Sequence, residues 1–212
     1  MASGVFITFE GGEGAGKSTQ VTRLADRLTA AGHEVVRTRE PGGSAGAEAI
    51  RALLVTGEAD RWSPLTEALL MNAARRDHVE RVIAPALARG AVVICDRFAD
   101  STRAYQGAGG GLSGTLIALL EAAVVGDTRP DLTFILDVPA EVGLARAGAR
   151  PGAEARFEAK GSAYHERLRE AFLTIAAEEP SRCIVVDASA AADAVGDLIW
   201  SRVEPRLAKA RT

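Results

Sequence analysis

Five short apolar runs, rich in valine, isoleucine, leucine and phenylalanine, recur along the chain at residues 5–9, 34–38, 91–95, 132–136 and 183–186. Each is continuous rather than alternating, the pattern of a strand buried on both faces. Between them the apolar positions change period. Val21, Leu24, Ala25 and Leu28 fall at helical spacing in 20–28, and further helical patterns cover 64–89, 113–125, 140–146, 162–178 and 191–209. Strands alternating with helices predict an α/β fold, a five-stranded parallel sheet with helices on both faces in three layers. In such sheets ligands sit at the carboxyl ends of the strands. That rule picks out Glu10, Arg39-Glu40-Pro41, Asp96-Arg97 and Asp137 as one rim.

Two segments read as loops. Residues 40–46 hold Pro41, Gly42, Gly43 and Gly46. Residues 147–161 combine Gly148, Pro151, Gly152 and Gly161 with Arg150, Arg156 and Lys160, just after Arg146. An arginine-rich loop between two helices suits a lid that brings cations over phosphates. From composition alone it is equally a solvated surface loop.

The first strand–helix junction reads Gly11-Gly12-Glu13-Gly14-Ala15-Gly16-Lys17-Ser18, which fits G-x-x-x-x-G-K-[ST]. Strand, glycine loop, helix is the context in which this motif has a mechanism. Glycines let consecutive N–H groups turn inward on phosphate oxygens. The following helix start adds free N–H groups and the positive end of its dipole. Lys17 would reach the β/γ-phosphates and the Ser18 hydroxyl would ligate Mg²⁺.

Composition narrows the class without naming a reaction. With 212 residues, 47% hydrophobic and 25% charged, the chain is long enough for one domain, 1–212, with a sizeable core. A net charge of −3 argues against a dedicated nucleic-acid binder. The chain holds three lysines, Lys17, Lys160 and Lys209, and one of them occupies the key position of the glycine motif. Cys95 and Cys183 sit in strand runs and read as buried thiols. No leader pattern precedes the first strand and no apolar run approaches about 18 residues, so a cytoplasmic protein without a membrane span is expected.

A second polar constellation follows the third strand. Asp96, at its end, is placed to orient Mg²⁺ or its water. Beyond it, Phe98-Ala99-Asp100-Ser101-Thr102-Arg103-Ala104-Tyr105-Gln106-Gly107 packs hydroxyl, amide, phenol and guanidinium groups together. The stretch reads as a polar recognition segment, with an exposed turn as the alternative. A GTPase would carry N-K-x-D and an ABC-type ATPase L-S-G-G-Q; neither string occurs.

Several collinear strings resemble bacterial thymidylate kinase. They are Phe9-Glu10-Gly11 entering the glycine loop, Thr38-Arg39-Glu40-Pro41-Gly42-Gly43-Ser44, Glu67-Ala68-Leu69-Leu70 with Arg75, Asp96-Arg97-Phe98, and Asp100-Ser101 with Ala104-Tyr105-Gln106-Gly107. Phe134-Ile135-Leu136-Asp137 with Pro139, and Arg156-Phe157-Glu158, extend the likeness over roughly residues 5–190. The resemblance implies a P-loop kinase that transfers the ATP γ-phosphoryl to dTMP with Mg²⁺, in dTTP biosynthesis, and works as a homodimer through long helices such as 64–89. The runner-up is a P-loop kinase with another small acceptor.

Carried across, the resemblance assigns Gly11, Gly12, Glu13, Gly14, Ala15, Gly16, Lys17, Ser18 and Thr19 to ATP and its metal. Glu10 lies near the dTMP phosphate or its metal, with Ser18 and Asp96 as further metal ligands. Arg97 clamps the dTMP phosphate. Arg39, Glu40 and Pro41 line the acceptor site, Met71, Arg75 and Ser101 the base, and Tyr105 and Gln106 the deoxyribose side. Arg146, Arg150 and Arg156 are the lid arginines, expected because the loop positions Gly12, Glu13 and Ala15 carry no arginine. The 186–188 loop is the candidate adenine contact. Three positions depart from the family pattern: Met71 where a stacking phenylalanine is usual, Phe98 where tyrosine or histidine is common, and Ala155 where aspartate often precedes Arg156.

Overall fold

The computed structural model describes residues 4–58, 60–148 and 160–210, without the side chains of residues 209 and 210. Five strands, β1 (Val5–Glu10), β2 (Val35–Arg39), β3 (Val92–Asp96), β4 (Leu132–Asp137) and β5 (Cys183–Asp187), form one parallel sheet in the order β2-β3-β1-β4-β5. The central strand β1 is buried at every residue, while the edge strands β2 and β5 are partly exposed. That is the burial gradient expected of a sheet covered on both faces.

The strand period sorts side chains between two cores. Ile7, Phe9, Val92 and Ile94 join Val21, Leu24 and Leu28 of α1 (Lys17–Ala30) and Val195, Ile199 and Val203 from the last helix, α9 (Ala192–Ala210). Phe6, Val93 and Cys95 face the other way, against Ile83, Phe98 and Val125. A third cluster joins Tyr105 and Ile135 to Leu168, Phe172 and Ile175 of α8 (Ser162–Glu178).

The expected strands each extend one residue further, to Glu10, Arg39, Asp96, Asp137 and Asp187. The pattern 64–89 resolves into α3 (Pro64–His78), a π turn (Val79–Ile83) and α4 (Ala84–Ala88). Pro85 has no N–H to continue an α-helical ladder, which accounts for the altered turn before it. One expectation changes and one alternative falls away. The loop 40–46 ends earlier, because α2 (Ala45–Val55) starts there, capped by Ser44, whose hydroxyl accepts from Ala47 N–H. The polar stretch after Asp96 is no exposed turn: it forms α5 (Ala99–Thr102) and a second π turn (Arg103–Ala108), with Ala104, Tyr105 and Gln106 buried. The remaining helices are α6 (Gly114–Val125) and α7 (Ala140–Gly148). Cys95 and Cys183 are buried free thiols, as expected.

Candidate active site

The glycine loop leaves β1 and enters α1 through three left-handed glycines, Gly11 (φ 128°), Gly14 (φ 65°) and Gly16 (φ 90°). Gly16 is the N-cap of α1 and offers no side chain to the first turn, so those N–H groups stay free for an anion. Gly14 also rests on α7, where a methyl group would strike the carbonyl of Gly143. Lys17 is 7% exposed. Its ammonium donates to the carbonyls of Gly11 (3.0 Å) and Gly12 (2.8 Å), and burial pulls it down to about 8. Ser18 Oγ donates to Asp96 at 2.6 Å, which joins the helix start to the end of β3.

The residue after Asp96 is strained. Arg97 has φ 70°, the one positive value outside glycine among the described residues, a conformation that costs about 1–3 kcal/mol and marks functional sites. Its N–H donates to Phe9 O at 2.9 Å, which fixes the backbone. Its guanidinium donates to Glu13 (2.7 Å), Gly11 O (3.2 Å) and Ser101 Oγ (3.3 Å), and its carbon lies 4.9 Å from the centre of the Tyr105 ring. Tyr105 OH donates to the same Glu13 oxygen at 2.7 Å. Burial works to raise the Glu13 carboxyl, but the Arg97 and Lys17 charges hold it down at about 2. Glu10 behaves oppositely. It is wholly buried and accepts from Phe98 N–H (2.7 Å) and Ser101 Oγ (2.6 Å); burial, then the nearby Asp100 charge, lift it to about 7.

Next to Arg97 opens a cavity whose walls include Glu40, Pro41, Met71, Arg75, Phe98 and Tyr105. Its polar side is held by Arg75, 3% exposed. Arg75 donates through Nε to Glu40 (2.7 Å), through Nη1 to Thr102 Oγ (3.0 Å) and through Nη2 to Phe98 O (2.9 Å), and it lies 5.2 Å from the centre of the Phe98 ring. Gln106 completes the wall and donates to Glu67 at 2.7 Å. A glycine cradle open to an anion thus shares one arginine with a cavity of mixed polar and apolar lining.

The thymidylate kinase family model matches residues 9–199. The chain belongs to the thymidylate kinase family. It is 70% identical over 207 residues to the thymidylate kinase of Caulobacter vibrioides, covering 98% of this chain and 99% of that one. It is 54% identical over 206 residues to that of Bradyrhizobium sp. strain ORS 278, covering 96% and 91%. The crystal structure of thymidylate kinase from Ehrlichia chaffeensis superposes with a TM-score of 0.77 at 36% identity, over 95% of this chain and 99% of that one.

Against the residues expected from this family, the structure brings most of the set together. Glu13, Glu40, Pro41, Met71, Arg75, Arg97, Ser101, Tyr105 and Gln106 share the one cavity. Arg39 does not join them: its guanidinium pairs with Glu48 on α2 (3.0 Å) and is half exposed. Glu10 is occupied by Phe98 and Ser101, whereas Ser18 and Asp96 bond each other. Arg146 donates to Ala188 O at 3.1 Å, which ties α7 to the loop after β5. Both oxygens of Asp137 accept from Arg169, from Nε at 2.7 Å and from Nη2 at 3.0 Å. Arg150 and Arg156 lie outside the described residues.

Sequence reasoning missed Val55, Phe98 and Thr102 as cavity residues. Val55 ends the helix the pattern did not predict, so no signal pointed to it. Thr102 and Phe98 stood inside the polar segment, and their neighbourhood was the available clue.

Proposed function

We propose that cradle and cavity divide the phosphorylation of dTMP by ATP between them, with Arg97 as the element common to both. Its reach to the Gly11 carbonyl on one side and its place over Tyr105 on the other carries this reading. The ATP phosphates lie on the N–H groups of 11–19, with Lys17 leaving the Gly11 and Gly12 carbonyls to meet them. The acceptor phosphate takes the place of the Glu13 carboxylate on Arg97, an exchange of one anion for another on the same guanidinium. The acceptor oxygen is already anionic, so no strong base is needed. Positioning and cationic stabilisation do the work.

A hydroxyl and a carboxylate in contact, Ser18 and Asp96, suit an ion that prefers one or two protein ligands plus phosphates. Bound there, Mg²⁺ would neutralise phosphate charge. Among the described residues no cluster of three or more acidic, histidine or cysteine side chains is arranged to hold a metal alone, so the phosphates would supply the remaining ligands. The base lies between Met71 and Phe98 with Arg75 at its polar edge, and Tyr105 crowds the sugar where a 2′-hydroxyl would project. One domain, 1–212, holds both sites; Arg150 and Arg156, expected from the sequence as lid arginines, lie outside the described residues. The enzyme works in the cytoplasm; no helix among the described residues is long and apolar enough to cross a membrane.

A homodimer through α3 and α6 is supported by exposed apolar side chains on these helices, which pack on each other: Leu65, Leu69 and Leu119 are 43, 49 and 64% exposed. ADP release from Mg·ATP, followed with and without dTMP, tests the reading. Release should depend on dTMP and remain slow without it, because closure over the phosphates excludes water. Acceptor-independent release at full rate would contradict it.

A further inference from the structure

His78 is fully buried at the end of α3, one turn after Arg75, and the reaction proposed above makes no use of it. Its two ring nitrogens are both engaged. Nδ1 lies 3.0 Å from Glu40 Oε1 and Nε2 lies 2.7 Å from Thr38 Oγ. A carboxylate can only accept, so Nδ1–H donates to Glu40, and in the neutral ring Nε2 accepts from the Thr38 hydroxyl. The other Glu40 oxygen accepts from Arg75 Nε. A continuous chain therefore runs from the edge strand β2 through His78 and Glu40 to the guanidinium on the cavity wall.

The backbone is shaped around this chain. Gly43 has φ 91°, and a methyl group on it would run into the His78 ring and the Thr38 hydroxyl. Ser44 Oγ donates to Asp77 at 2.5 Å, pinning the same loop to the same turn of α3. The loop that carries Glu40 is thus fastened at three successive places to the turn that carries Arg75. A buried Glu–Arg pair keeps its geometry only when the spare lone pairs and protons are satisfied. Thr102 and Phe98 do this for Arg75; His78 does it for Glu40.

We infer that His78 is a positioning residue for base selection: through Glu40 it sets the plane and depth of the Arg75 guanidinium. The inference rests on the reading that Arg75 faces the acceptor's base. A merely structural histidine would affect melting alone. A positioning histidine affects acceptor KM and acceptor choice while leaving the phosphate chemistry intact.

Steady-state kinetics of His78→Leu, His78→Asn, Thr38→Val and Arg75→Lys, with dTMP and dCMP as acceptors, make the test. His78→Leu should raise KM for dTMP about tenfold or more and narrow the dTMP preference about as much, the loss expected when a buried polar partner goes unmet. Its kcat at saturation and its KM for ATP should stay within about threefold, because the cradle is untouched. His78→Asn, whose amide can donate to Glu40 from the place of Nδ1, should recover most of the loss. Thr38→Val should raise KM for dTMP about threefold.

A cooperatively folded His78→Leu with wild-type KM and preference overturns the inference, as does His78→Asn being no better than His78→Leu. Should His78→Leu fail to fold, an unchanged KM for dTMP in a cooperatively folded Thr38→Val overturns it, while a raised KM in Thr38→Val supports it. Arg75→Lys separates the two levels. If it leaves dTMP preference intact, the reading of Arg75 fails; if it destroys preference while His78→Leu preserves it, only the role of His78 fails.

Discussion

The phosphate cradle and the base cavity lie side by side yet are built differently. The cradle is backbone: left-handed glycines, a helix start and one lysine, all within residues 11–18. The cavity is side chains drawn from the loops after β2 and β3, from α2, α3 and α5 and from the π turn after α5, several of them held by a partner distant in sequence. Gln106 and Glu67 are 39 residues apart, Tyr105 and Glu13 are 92. A backbone site recognises what all nucleoside triphosphates share. A side-chain site can discriminate, but every wall residue needs its own support, such as Glu40 for Arg75.

The largest expected effect breaks the cradle. Lys17→Ala should lower kcat by about 10³-fold or more for every acceptor alike, with the fold retained, since the lost charge serves the transferring group. Near-normal kcat by ADP release would contradict its role. Arg97→Ala, which removes the group common to both sites, should cost about 10³-fold in kcat/KM and raise KM for dTMP as well; a change confined to ATP would separate it from the acceptor. Arg75→Lys belongs to the cavity alone. It should cost about 10- to 100-fold in kcat/KM for dTMP and blur acceptor choice while sparing KM for ATP.

Smaller effects sharpen the contrast. Glu10 is lifted to about 7 against an ordinary 4.5. The folded state therefore binds its proton more tightly than the unfolded chain, and stability contributed by that proton is lost as pH rises from about 4.5 through 7. Glu10→Gln removes the buried charge. Without ligands its Tm should exceed that of the unsubstituted enzyme by a few degrees at pH 8, and the gain should fade toward pH 4.5, where both states are protonated. A gain that grows on acidification would refute the assignment. Met71→Phe should lower KM for dTMP by a few-fold at most, a ring contact being worth about 0.5–1.5 kcal/mol; a raised KM would show that the cavity is already filled at that wall.

The same contrast explains what could be read without coordinates. Glycine spacing encodes a backbone cradle directly, so residues 11–18 were legible, as were the five strands. The strand ends were short by one because Glu10, Arg39, Asp96, Asp137 and Asp187 are charged and look like loop, yet they still pair in the ladder at the carboxyl edge. Helix α2 was hidden by Pro41, Gly42, Gly43 and Gly46, although Ser44 was its cap. The segment after Asp96, read as a polar recognition segment with an exposed turn as the alternative, could not be seen to be buried because its polarity is balanced elsewhere: Arg182 takes both Asp100 oxygens at 2.8 and 2.9 Å, and Glu67 takes Gln106. Those partners follow from the fold rather than from local pattern. Arg39, read as an acceptor residue, turns to Glu48 for the same reason: α2 brings that carboxylate onto it, while the adjacent Glu40 is taken by Arg75 and His78.

The central claim is that a shared cradle and a selective side-chain cavity make this chain a kinase of dTMP. Coupled ADP release from Mg·ATP, run with dTMP, dUMP, the thymidine monophosphate bearing a 2′-hydroxyl, dCMP, dGMP, AMP and thymidine, addresses it directly. The account predicts the highest kcat/KM with dTMP, a partial rate with dUMP, which lacks one methyl worth about 1–3 kcal/mol, and little with the rest. A purine or cytosine acceptor outrunning dTMP, or equal release with no acceptor at all, would contradict it.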